Sequence, residues 1–469
     1  MFRDSSSFQG HIVIVGASLA GLSAVRTLHQ EGFNGPVTLI GDEPYPPYDR
    51  PPLSKSVLSG WLPADNIFLP QSEVGNVEWL LGVPATQLHL DKKTVQLADG
   101  RHIPFDRLLI VTGTRARPWP NASEAALDGV FTIRTLDDSK QLRQRLAAKP
   151  RHVLVIGAGF TGSEVASICR EQGLTVTVTE RSAAPLAGAL GGAAGIAVSH
   201  LQRAHGVDLR CNVTVMELEG DQQGRLCAAH LSDDDVIPVD VAVVALGSVR
   251  NIEWLQGAHL AADARGIVCD GACRVFNTDA IVTDNIFVAG DIARWPNPIF
   301  DGQLLAVEHW GNAVEQAATA AHNMICAPAE LRGYRHIPNF WSNQFGLNIK
   351  SVGLPPLADE VMVMQGTVAE GRFVAAYGLK GRMVAAFAVN MPRGLDYYEE
   401  LIRQKSPFPP NVEAPDKNPS SHIIPAGFPA HEQPTHSPVA VVTGPGPYTP
   451  TQEMQMIDPR IPQSSPPLY

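Results

Sequence analysis

The stretch Val153-Leu-Val-Ile-Gly-Ala-Gly-Phe-Thr-Gly162 decides the fold of this chain. Its four leading apolar residues predict a strand buried on both faces, and the G-x-G-x-x-G that follows predicts a tight turn into a helix. In such a turn Gly157 permits the bend, Gly159 lets backbone approach a pyrophosphate, and Gly162 lets helix pack on strand. The helix N-terminus then faces the phosphates with its partial positive charge. The stretch therefore predicts a dinucleotide site.

An acidic residue after the next predicted strand indicates which nicotinamide cofactor binds. Glu180 follows Val176-Thr-Val178 and stands eighteen residues after Gly162. A carboxylate at this place accepts hydrogen bonds from the ribose hydroxyls of NAD and repels a 2′-phosphate, which favours NADH. Arg181 stands beside it and weakens that preference, so NADPH remains the second choice.

A second stretch of the same kind lies near the start of the chain. His11-Ile-Val-Ile-Val15 is followed by Gly16-Ala-Ser-Leu-Ala-Gly21, in which Ser18 replaces the middle glycine and could donate its hydroxyl to a pyrophosphate. Asp42 comes twenty-one residues after Gly21, again behind an apolar run. Two dinucleotide sites in one chain predict electron transfer between a tightly held flavin and a diffusible nicotinamide.

The rest of the chain divides into three regions by pattern. Unbroken apolar runs predict central parallel strands, and the runs are residues 11–15, 37–40, 108–111, 153–156, 176–178, 241–244 and 286–288. Helical periods follow at 20–30 and 162–172. After residue 335, alternation at 361–364, 373–377 and 383–387 predicts an antiparallel meander. Sixteen of the 38 prolines lie between Pro407 and Pro467, which predicts an extended tail.

Composition excludes several classes of protein. A chain of 469 residues allows about three domains. The net charge of −11 argues against nucleic-acid binding, and the chain has no apolar run long enough for a transmembrane helix. The six cysteines form no C-x-x-C pair and no metal-site spacing, so we expect reduced thiols, no metal and a cytoplasmic location.

Six further motifs carry a family resemblance. They are Tyr48-Asp-Arg-Pro-Pro-Leu-Ser-Lys55, Leu109-Ile-Val-Thr-Gly-Thr114, Ile133-Arg-Thr-Leu-Asp137, Val288-Ala-Gly-Asp-Ile-Ala-Arg294, Glu308-His-Trp310 and Asn339-Phe-Trp-Ser-Asn-Gln344. With the two glycine-rich turns they resemble the NADH-dependent ferredoxin reductases, FAD-containing enzymes that feed two-iron ferredoxins in oxygenase and haem-monooxygenase systems.

The resemblance implies an α/β fold with two Rossmann-like dinucleotide-binding domains of the glutathione-reductase type. A C-terminal α+β domain with an antiparallel sheet and the proline-rich tail complete the chain. We assign residues 8–118 and 246–325 to the FAD-binding domain, 119–245 to the NAD-binding domain, 326–405 to an interface domain and 406–469 to the tail. A two-iron ferredoxin is the expected partner, and a homodimer remains open.

The resemblance also implies which residues bind the cofactors. Asp42 would hold the adenosine ribose of FAD and Asp291 its ribityl chain. The whole FAD set is Gly16, Ser18, Leu19, Ala20, Asp42, Arg50, Lys55, Ala85, Thr112, Gly113, Arg134, Gly290, Asp291, Glu308, His309, Trp310 and Trp341. The NADH set is Gly157, Gly159, Phe160, Thr161, Gly162, Glu180 and Gly247.

The catalytic candidates are Lys55, Glu164 and Trp310. A cation at Lys55, near the pyrimidine edge of the flavin, would stabilise the reduced ring. The resemblance pairs it with Glu164, although an acid in the first turn of a helix is also explained by capping alone. Trp310 and Trp341 either stack on or border the flavin or belong to the core.

Three positions depart from the family pattern. Ala306 stands where many relatives carry arginine, Asn343 where they carry aspartate, and Phe345 where tyrosine is frequent. We expect FAD binding to survive these changes. The three changes affect which partner protein is expected, because these segments surround the flavin and the presumed ferredoxin-binding face.

Three functions remain open from sequence. The first is a ferredoxin reductase that takes hydride from NADH to flavin N5 and passes on single electrons. The missing C-x-x-C argues against a disulfide reductase. The second is a self-contained NADH-dependent flavoenzyme that reduces oxygen or a small organic substrate in a tailoring pathway. The third is a redox-responsive binding protein whose tail recruits a partner.

Overall fold

The computed structural model describes residues 8–71, 74–391, 395–411 and 423–426. Apart from 406–411 and 423–426, the predicted tail therefore lies outside the described residues.

The first sheet forms around the N-terminal glycine-rich stretch. Ile12–Val15 lies between Val37–Ile40 and Arg107–Ile110 and runs parallel to both. Every residue of Ile12–Val15 and Val37–Ile40 is buried, as expected for parallel strands covered on both faces. In spatial order the strands are Arg274–Phe276, Val282–Val288, Arg107–Ile110, Ile12–Val15, Val37–Ile40 and Val77–Leu80, and the edge strand Arg274–Phe276 is antiparallel to its neighbour.

The second sheet repeats this arrangement around the stretch that begins at Val153. Val153–Ile156 lies between Val176–Glu180 and Val241–Val244, again parallel to both. In spatial order the strands are Asp208–Cys211, Val176–Glu180, Val153–Ile156, Val241–Val244 and Val130–Phe131. The glycine-rich turn after each central strand therefore lies at the carboxyl edge of its sheet, where open α/β sheets bind ligands.

The C-terminal sheet is antiparallel, as the alternation after residue 335 predicts. Its strands in spatial order are Asn339–Gln344, Leu347–Gly353, Arg382–Val389, Arg372–Leu379, Glu360–Thr367 and Ile424–Pro425. Residues on both faces of its central strands Arg372–Leu379 and Arg382–Val389 belong to the hydrophobic core that also contains the first sheet.

Nine helices occur within the described residues. In chain order they are α1 (Leu19–Gln30), α2 (Ser56–Ser59), α3 (Ala122–Ala125), α4 (Leu136–Ala147), α5 (Phe160–Glu171), α6 (Ala187–Leu190), α7 (Gly192–Ala204), α8 (Trp310–Ile325) and α9 (Leu395–Arg403). The predicted helices at 20–30 and 162–172 correspond to α1 and α5. In the part of the chain that is described, no helix has the length and apolar character needed to cross a membrane.

Smaller sheets connect these layers. Thr114–Ala116 pairs with Ser248–Arg250 and so joins the two segments that run between the first and second sheets. The other small sheets comprise Ala85–His89, Thr94–Leu97 and His102–Pro104; Val215–Gly220, Leu226–Leu231 and Val236–Pro238; and Ala262–Asp263, Gly266–Val268, Ala293–Asn297 and Gln303–Leu305. The predicted α/β architecture, with two parallel dinucleotide-binding sheets and a C-terminal antiparallel sheet, is confirmed.

The last described segment attaches the tail to the C-terminal sheet. Ile424–Pro425 pairs with Glu360–Thr367, and the Ala426 N–H donates to the carbonyl of Asp359 at 3.0 Å. Ala426 is buried beside Gly191, which lies between α6 and α7 with a φ of +80°. A Cβ built on Gly191 would lie 2.7 Å from the Ala426 carbonyl oxygen. Residues 424–426 therefore contact the segment between α6 and α7 as well as the C-terminal sheet.

We expect Gly191→Ala to destabilise the protein more than Gly173→Ala. Gly173 has a nearly equal φ of +77°, but nothing lies within 4 Å of a Cβ built on it. Ala is disfavoured at both positions because φ is positive. Gly191, with a ψ of 166°, also lies in a region that essentially only glycine adopts, and Gly191→Ala must in addition displace Ala426. Urea unfolding of both variants measures the difference. In a chain that ends at residue 411 the loss for Gly191→Ala should become smaller, while the loss for Gly173→Ala should not change. A loss for Gly191→Ala that is the same in both chains would contradict the contact.

Candidate active site

The carboxyl edges of the two parallel sheets enclose a pocket of about 610 Å³, closed on a third side by the C-terminal sheet. This volume lies in the range of pockets that hold small ligands and cofactors. Three long helices begin at its wall, α1 behind Ser18, α5 behind Gly159 and α8 behind His309. None of these three N-cap residues forms a side-chain cap, so the first N–H groups of each helix remain available to an anionic ligand.

Most of the predicted site residues line this pocket. They are Ser18, Leu19, Ala20, Arg50, Lys55, Thr112, Gly113, Arg134, Gly159, Phe160, Thr161, Glu164, Gly247, Gly290, Asp291, Glu308, His309, Trp310 and Trp341. They come from all three sheets, so the fold brings together residues that are up to 323 positions apart in the chain (18 to 341).

Three predicted glycines lie behind the pocket wall. A Cβ built on Gly16 would lie 2.2 Å from the carbonyl oxygen of Val111, and one on Gly162 would lie 2.0 Å from that of Gly157. Gly157 itself has a φ of +102° and lies against the Ala245 carbonyl. These glycines are required by the packing of each turn on its neighbours, and they shape the pocket without lining it.

Asp42, Ala85 and Glu180 also lie outside the pocket lining. Asp42 is exposed and accepts a hydrogen bond from the Glu43 N–H. Ala85 begins a strand, and two residues before it the N–H of Val83 donates to the carbonyl of Gly41, so Ala85 lies near Asp42 on the same edge. The Glu180 carboxylate accepts the Ala158 N–H at 2.9 Å, which ties the strand end to the glycine-rich turn. Their roles toward a cofactor stay predictions.

The predicted pairing of Lys55 with Glu164 is present in the pocket wall. The Lys55 Nζ lies 2.7 Å from Glu164 Oε2, and the carboxylate is almost fully buried. The hydroxyls of Ser54 and Ser342 donate to the same carboxylate at 2.5 and 2.6 Å. Sequence analysis did not single out either serine, although both stand inside the quoted motifs that end at Lys55 and Gln344.

Two further ion pairs fix carboxylates at the pocket. Asp291 accepts from Arg134 at 2.8 Å. Glu308 pairs with Arg250 at 2.7 Å and accepts from the hydroxyl of Ser248. Burial raises the pKa of Glu308. No sequence signal marked Arg250, because it pairs with Glu308 only after the chain folds.

Arg50 is a further basic residue of the site and lies beside the first glycine-rich turn. Arg50 donates to the carboxylate of Glu43 and to the carbonyl of Arg134, and its Nε lies 3.4 Å from the Ser18 hydroxyl. Glu43 also accepts a hydrogen bond from Tyr48. The guanidinium is therefore oriented toward the N-terminus of α1, where the resemblance places a phosphate.

Two tryptophans border the opening of the pocket. Trp310 and Trp341 are 40% and 42% exposed, and their rings meet edge to face with centroids 6.4 Å apart. The indole N–H of Trp310 donates to Asp49 at 2.9 Å, which fixes the ring in place. Burial raises the pKa of Asp49. Both rings therefore lie at the rim, and neither belongs to the core.

His309 is a buried imidazole on the pocket wall. Neither ring nitrogen has a hydrogen-bond partner among the described residues. Burial, together with the nearby His336, lowers the pKa of His309 from 6.5 to about 3, so the ring stays neutral at physiological pH.

The pocket fits an FAD and a nicotinamide dinucleotide. Nothing lies within 4 Å of a Cβ built on Gly159 or Gly113, so the backbone is open to a ligand at both places. The uncapped helix N-termini suit pyrophosphates, and the unpartnered nitrogens of His309 suit a polar ring system. All six cysteines are described, all are free, and none lines the pocket.

The three departures from the family pattern lie close to this site. Ala306 is buried in the segment ahead of Glu308. Phe345 adopts a φ of +51°, and its N–H donates to the Ser167 hydroxyl at 2.7 Å. Asn343 is exposed and accepts from Asn348. Asn343 is therefore the departure that a partner protein could contact.

Comparison with known families identifies two regions. Residues 10–317 match the family described as pyridine nucleotide-disulphide oxidoreductase, and residues 339–420 match the family described as reductase C-terminal.

Two individual relatives match most of this chain. Rhodocoxin reductase from Rhodococcus erythropolis is 34% identical over 412 residues, which span 86% of this chain and 92% of that protein. Putidaredoxin reductase from Pseudomonas putida is 32% identical over 424 residues, which span 89% and 97%.

Among solved structures, the covalent putidaredoxin reductase–putidaredoxin complex matches with a TM-score of 0.79 at 29% identity, over 85% of this chain and 94% of that one. The ferredoxin reductase for the CYP199A2 system from Rhodopseudomonas palustris matches with a TM-score of 0.75 at 30% identity, over 82% and 92%. The predicted family resemblance and the predicted use of FAD and NADH are confirmed.

We expect Glu164→Ala to lower the free energy of unfolding by about 3–5 kcal/mol, because it leaves the Lys55 ammonium without its partner in a largely buried place. The control is Glu171→Ala on the same helix, where the carboxylate is exposed and accepts only from Ser167. That change should stay within about 0.5–1 kcal/mol. Urea unfolding of the cofactor-free protein measures both, and equal losses would contradict the role of the buried pair.

We expect the stability of the cofactor-free protein to fall as pH drops from 6.5 toward 4.5, in part through His309. The unfolded chain protonates this ring near pH 6.5, whereas the folded protein does so only near pH 3. The unfolded state therefore binds more protons in this window, and the loss approaches about 1.4 kcal/mol per pH unit. His309→Gln should flatten the pH dependence, while His200→Gln at an exposed position should not. An unchanged slope in His309→Gln would contradict burial of a neutral ring.

Proposed function

Because this chain belongs to the pyridine nucleotide-disulphide oxidoreductase family, as one of its ferredoxin reductases, we propose that its electron acceptor is a two-iron ferredoxin. The enzyme is an FAD-dependent oxidoreductase that takes electrons from NADH and delivers them to a ferredoxin-type iron–sulfur protein. When bound, FAD supplies the change from a two-electron to a one-electron carrier, by accepting a hydride and releasing electrons singly.

The single observation that carries the proposal is the convergence of three uncapped helix N-termini on one pocket that has no cysteine in its wall. Two dinucleotides bring two pyrophosphates to one place, and helix N-termini stabilise such anions. A disulfide reductase needs a thiol pair beside its flavin. The described pocket suits electron transfer out of the protein better than thiol chemistry.

In this proposal FAD occupies the half of the pocket formed by residues 8–118 and 246–325. The N–H groups behind Ser18 and the guanidinium of Arg50 hold its pyrophosphate, and Asp291, oriented by Arg134, accepts from its ribityl hydroxyls. NADH occupies the half formed by 119–245, with its pyrophosphate on the N-terminus of α5 and its ribose near Glu180. The residues 326–405 close the pocket and face the partner.

Lys55 and Glu164 act as a positioned charge pair at the reacting end of the pocket. Lys55 places its ammonium where negative charge develops on reduction. Glu164 keeps that ammonium in one place, because its other lone pairs are occupied by Ser54 and Ser342. A charge held rigidly in a site with little water stabilises a reduced ring without reorganisation.

The partner protein approaches the rim of the pocket formed by Trp310 and Trp341 in this proposal. Both rings are exposed at the pocket mouth, and Trp341 lies on the outermost strand of the C-terminal sheet. The sequence from 326 to 405 carries nine Lys and Arg against seven Asp and Glu, a balance of +2 in a chain of −11. That sign suits an acidic ferredoxin and gives association that weakens with salt.

The test is NADH oxidation by the FAD-loaded protein, first in air and then with a panel of two-iron ferredoxins and cytochrome c as final acceptor. We expect slow turnover in air and a large increase with one ferredoxin, because electrons must leave singly through the rim. Turnover that is fast in air and indifferent to every ferredoxin would overturn the proposal and favour a self-contained flavoenzyme.

We expect Glu180→Gln to reduce the preference for NADH over NADPH. Removing the carboxylate removes its repulsion of a 2′-phosphate, and we expect kcat/KM for NADPH relative to NADH to rise about tenfold, equivalent to about 1.4 kcal/mol. The control is Glu217→Gln, at an exposed acid on the strand Val215–Gly220. An unchanged ratio would show that Glu180 does not face the ribose and that it serves to bind the N–H groups of Ala158 and Ser182.

A further inference from the structure

Arg117 is a cation of the pocket wall that the sequence motifs did not mark. It comes directly after the strand Thr114–Ala116 and lines the pocket. Its backbone N–H donates to the carbonyl of Gly247 at 2.9 Å, and its Nη2 donates to the carbonyl of Ser248 at 3.0 Å. These two hydrogen bonds hold the arginine against the segment that follows the strand Val241–Val244.

The segment that holds Arg117 also packs on the second glycine-rich turn. A Cβ built on Gly157 would lie 2.5 Å from the carbonyl oxygen of Ala245 and 3.8 Å from the side chain of Leu246. Gly247, which accepts the N–H of Arg117, is the next residue of this segment. Arg117 therefore lies on the same side of the pocket as the N-terminus of α5, where the proposed function places the pyrophosphate of NADH.

Arg117 differs from the other charged residues of the pocket wall in having no carboxylate partner. Each of the others belongs to an ion pair. The pairs are Arg50 with Glu43, Lys55 with Glu164, Arg134 with Asp291 and Arg250 with Glu308. Among the described residues, no carboxylate oxygen lies within 4.0 Å of the Arg117 guanidinium. The charge of Arg117 is therefore the one in the described pocket wall that the protein does not neutralise.

The guanidinium of Arg117 also keeps most of its donors available. It is exposed, and in the described structure the bond to Ser248 is the one hydrogen bond that its side chain makes. A guanidinium is a planar fork of N–H donors that matches the oxygens of a phosphate. Hydrogen bonds between such a fork and a phosphate are about twice as strong as those between neutral groups. The chemistry of this position therefore favours a phosphorylated ligand.

We propose that Arg117 binds the pyrophosphate of NADH and makes the enzyme selective for phosphorylated hydride donors. The inference deepens the proposed function and rests on it. The guanidinium donates to the pyrophosphate from one side, while the first N–H groups of α5 donate from the other. The pyrophosphate is remote from the reacting ring, so this contact is equally strong before and during hydride transfer. Its loss therefore weakens binding and leaves the rate of the bound complex unchanged.

Stopped-flow reduction of the FAD-loaded protein by NADH separates binding from hydride transfer. For Arg117→Gln we expect the Kd for NADH to rise about tenfold, because a charge-assisted bond to phosphate is lost. The limiting rate of flavin reduction should stay within about twofold. Arg117→Lys keeps the charge but not the fork, and it should recover part of the affinity. A Kd that is unchanged in Arg117→Gln would overturn the proposal.

A hydride donor without phosphate tests the selectivity. N-benzyl dihydronicotinamide carries the reacting ring and has no phosphate for Arg117 to bind. We expect Arg117→Gln and the wild-type protein to be reduced by this donor with the same dependence on its concentration. An equal loss with NADH and with N-benzyl dihydronicotinamide would show that the substitution disturbs the flavin side of the pocket, and it would overturn the proposal.

Arg115 provides the matched control, since it stands two residues earlier on the same strand. Its Nη2 lies 2.6 Å from Glu253, and it does not line the pocket. Arg115→Gln changes the net charge of the protein by the same amount as Arg117→Gln, and we expect it to leave the Kd for NADH unchanged. If both variants raise the Kd equally, the effect comes from overall charge, and Arg117 does not bind the pyrophosphate.

The FAD content of the purified variants identifies which dinucleotide Arg117 serves. Arg117→Gln should contain as much FAD as the wild-type protein. A variant that loses FAD would assign Arg117 to the flavin and overturn the proposal, while the proposed function would stand. Failure of the FAD-loaded wild-type protein to be reduced by NADH would overturn the proposed function, and this inference with it, so the two failures are distinguishable.

Discussion

The buried carboxylate of Glu164 is the contact on which the arrangement of the site depends. It lies on α5, which follows the central strand of the second sheet, and it accepts from Ser54 and Lys55 near the first sheet and from Ser342 of the C-terminal sheet. A buried charge is stable only when its partners are all in place. The pocket between these three parts therefore forms as a unit, and its charge is held where the reacting rings meet.

The pocket walls also contain polar groups that need a partner. Three helices begin at the pocket and leave their first N–H groups uncapped, which is costly unless solvent or an anion satisfies them. The glycines behind the wall allow those helix ends to approach, because a Cβ at Gly16 or Gly162 would overlap a carbonyl oxygen. Binding two dinucleotides thus follows from backbone geometry, and the side chains add selectivity and charge.

Sequence predicted the parts that repeat a local pattern and missed those made by long-range contact. The strands, α1, α5, the antiparallel meander and the Lys55–Glu164 pairing followed from motifs and from the family resemblance. The buried pair of Arg250 with Glu308 and the serines on Glu164 depend on residues that meet only in the folded protein. Local periodicity carries no information about such pairs. The strand Ile424–Pro425 could not be predicted for a similar reason. A proline-rich stretch gives no strand signal, and this strand forms because the edge strand Glu360–Thr367 pairs with it.

If the Glu164 carboxylate couples three parts of the chain, hydrogen–deuterium exchange of Glu164→Ala will report on all three. We expect faster amide exchange, relative to the wild-type protein, in three separate segments: 53–60, α5 and 339–345. Exchange that increases in α5 alone, with the other two segments at wild-type rates, would show that the carboxylate does not couple them.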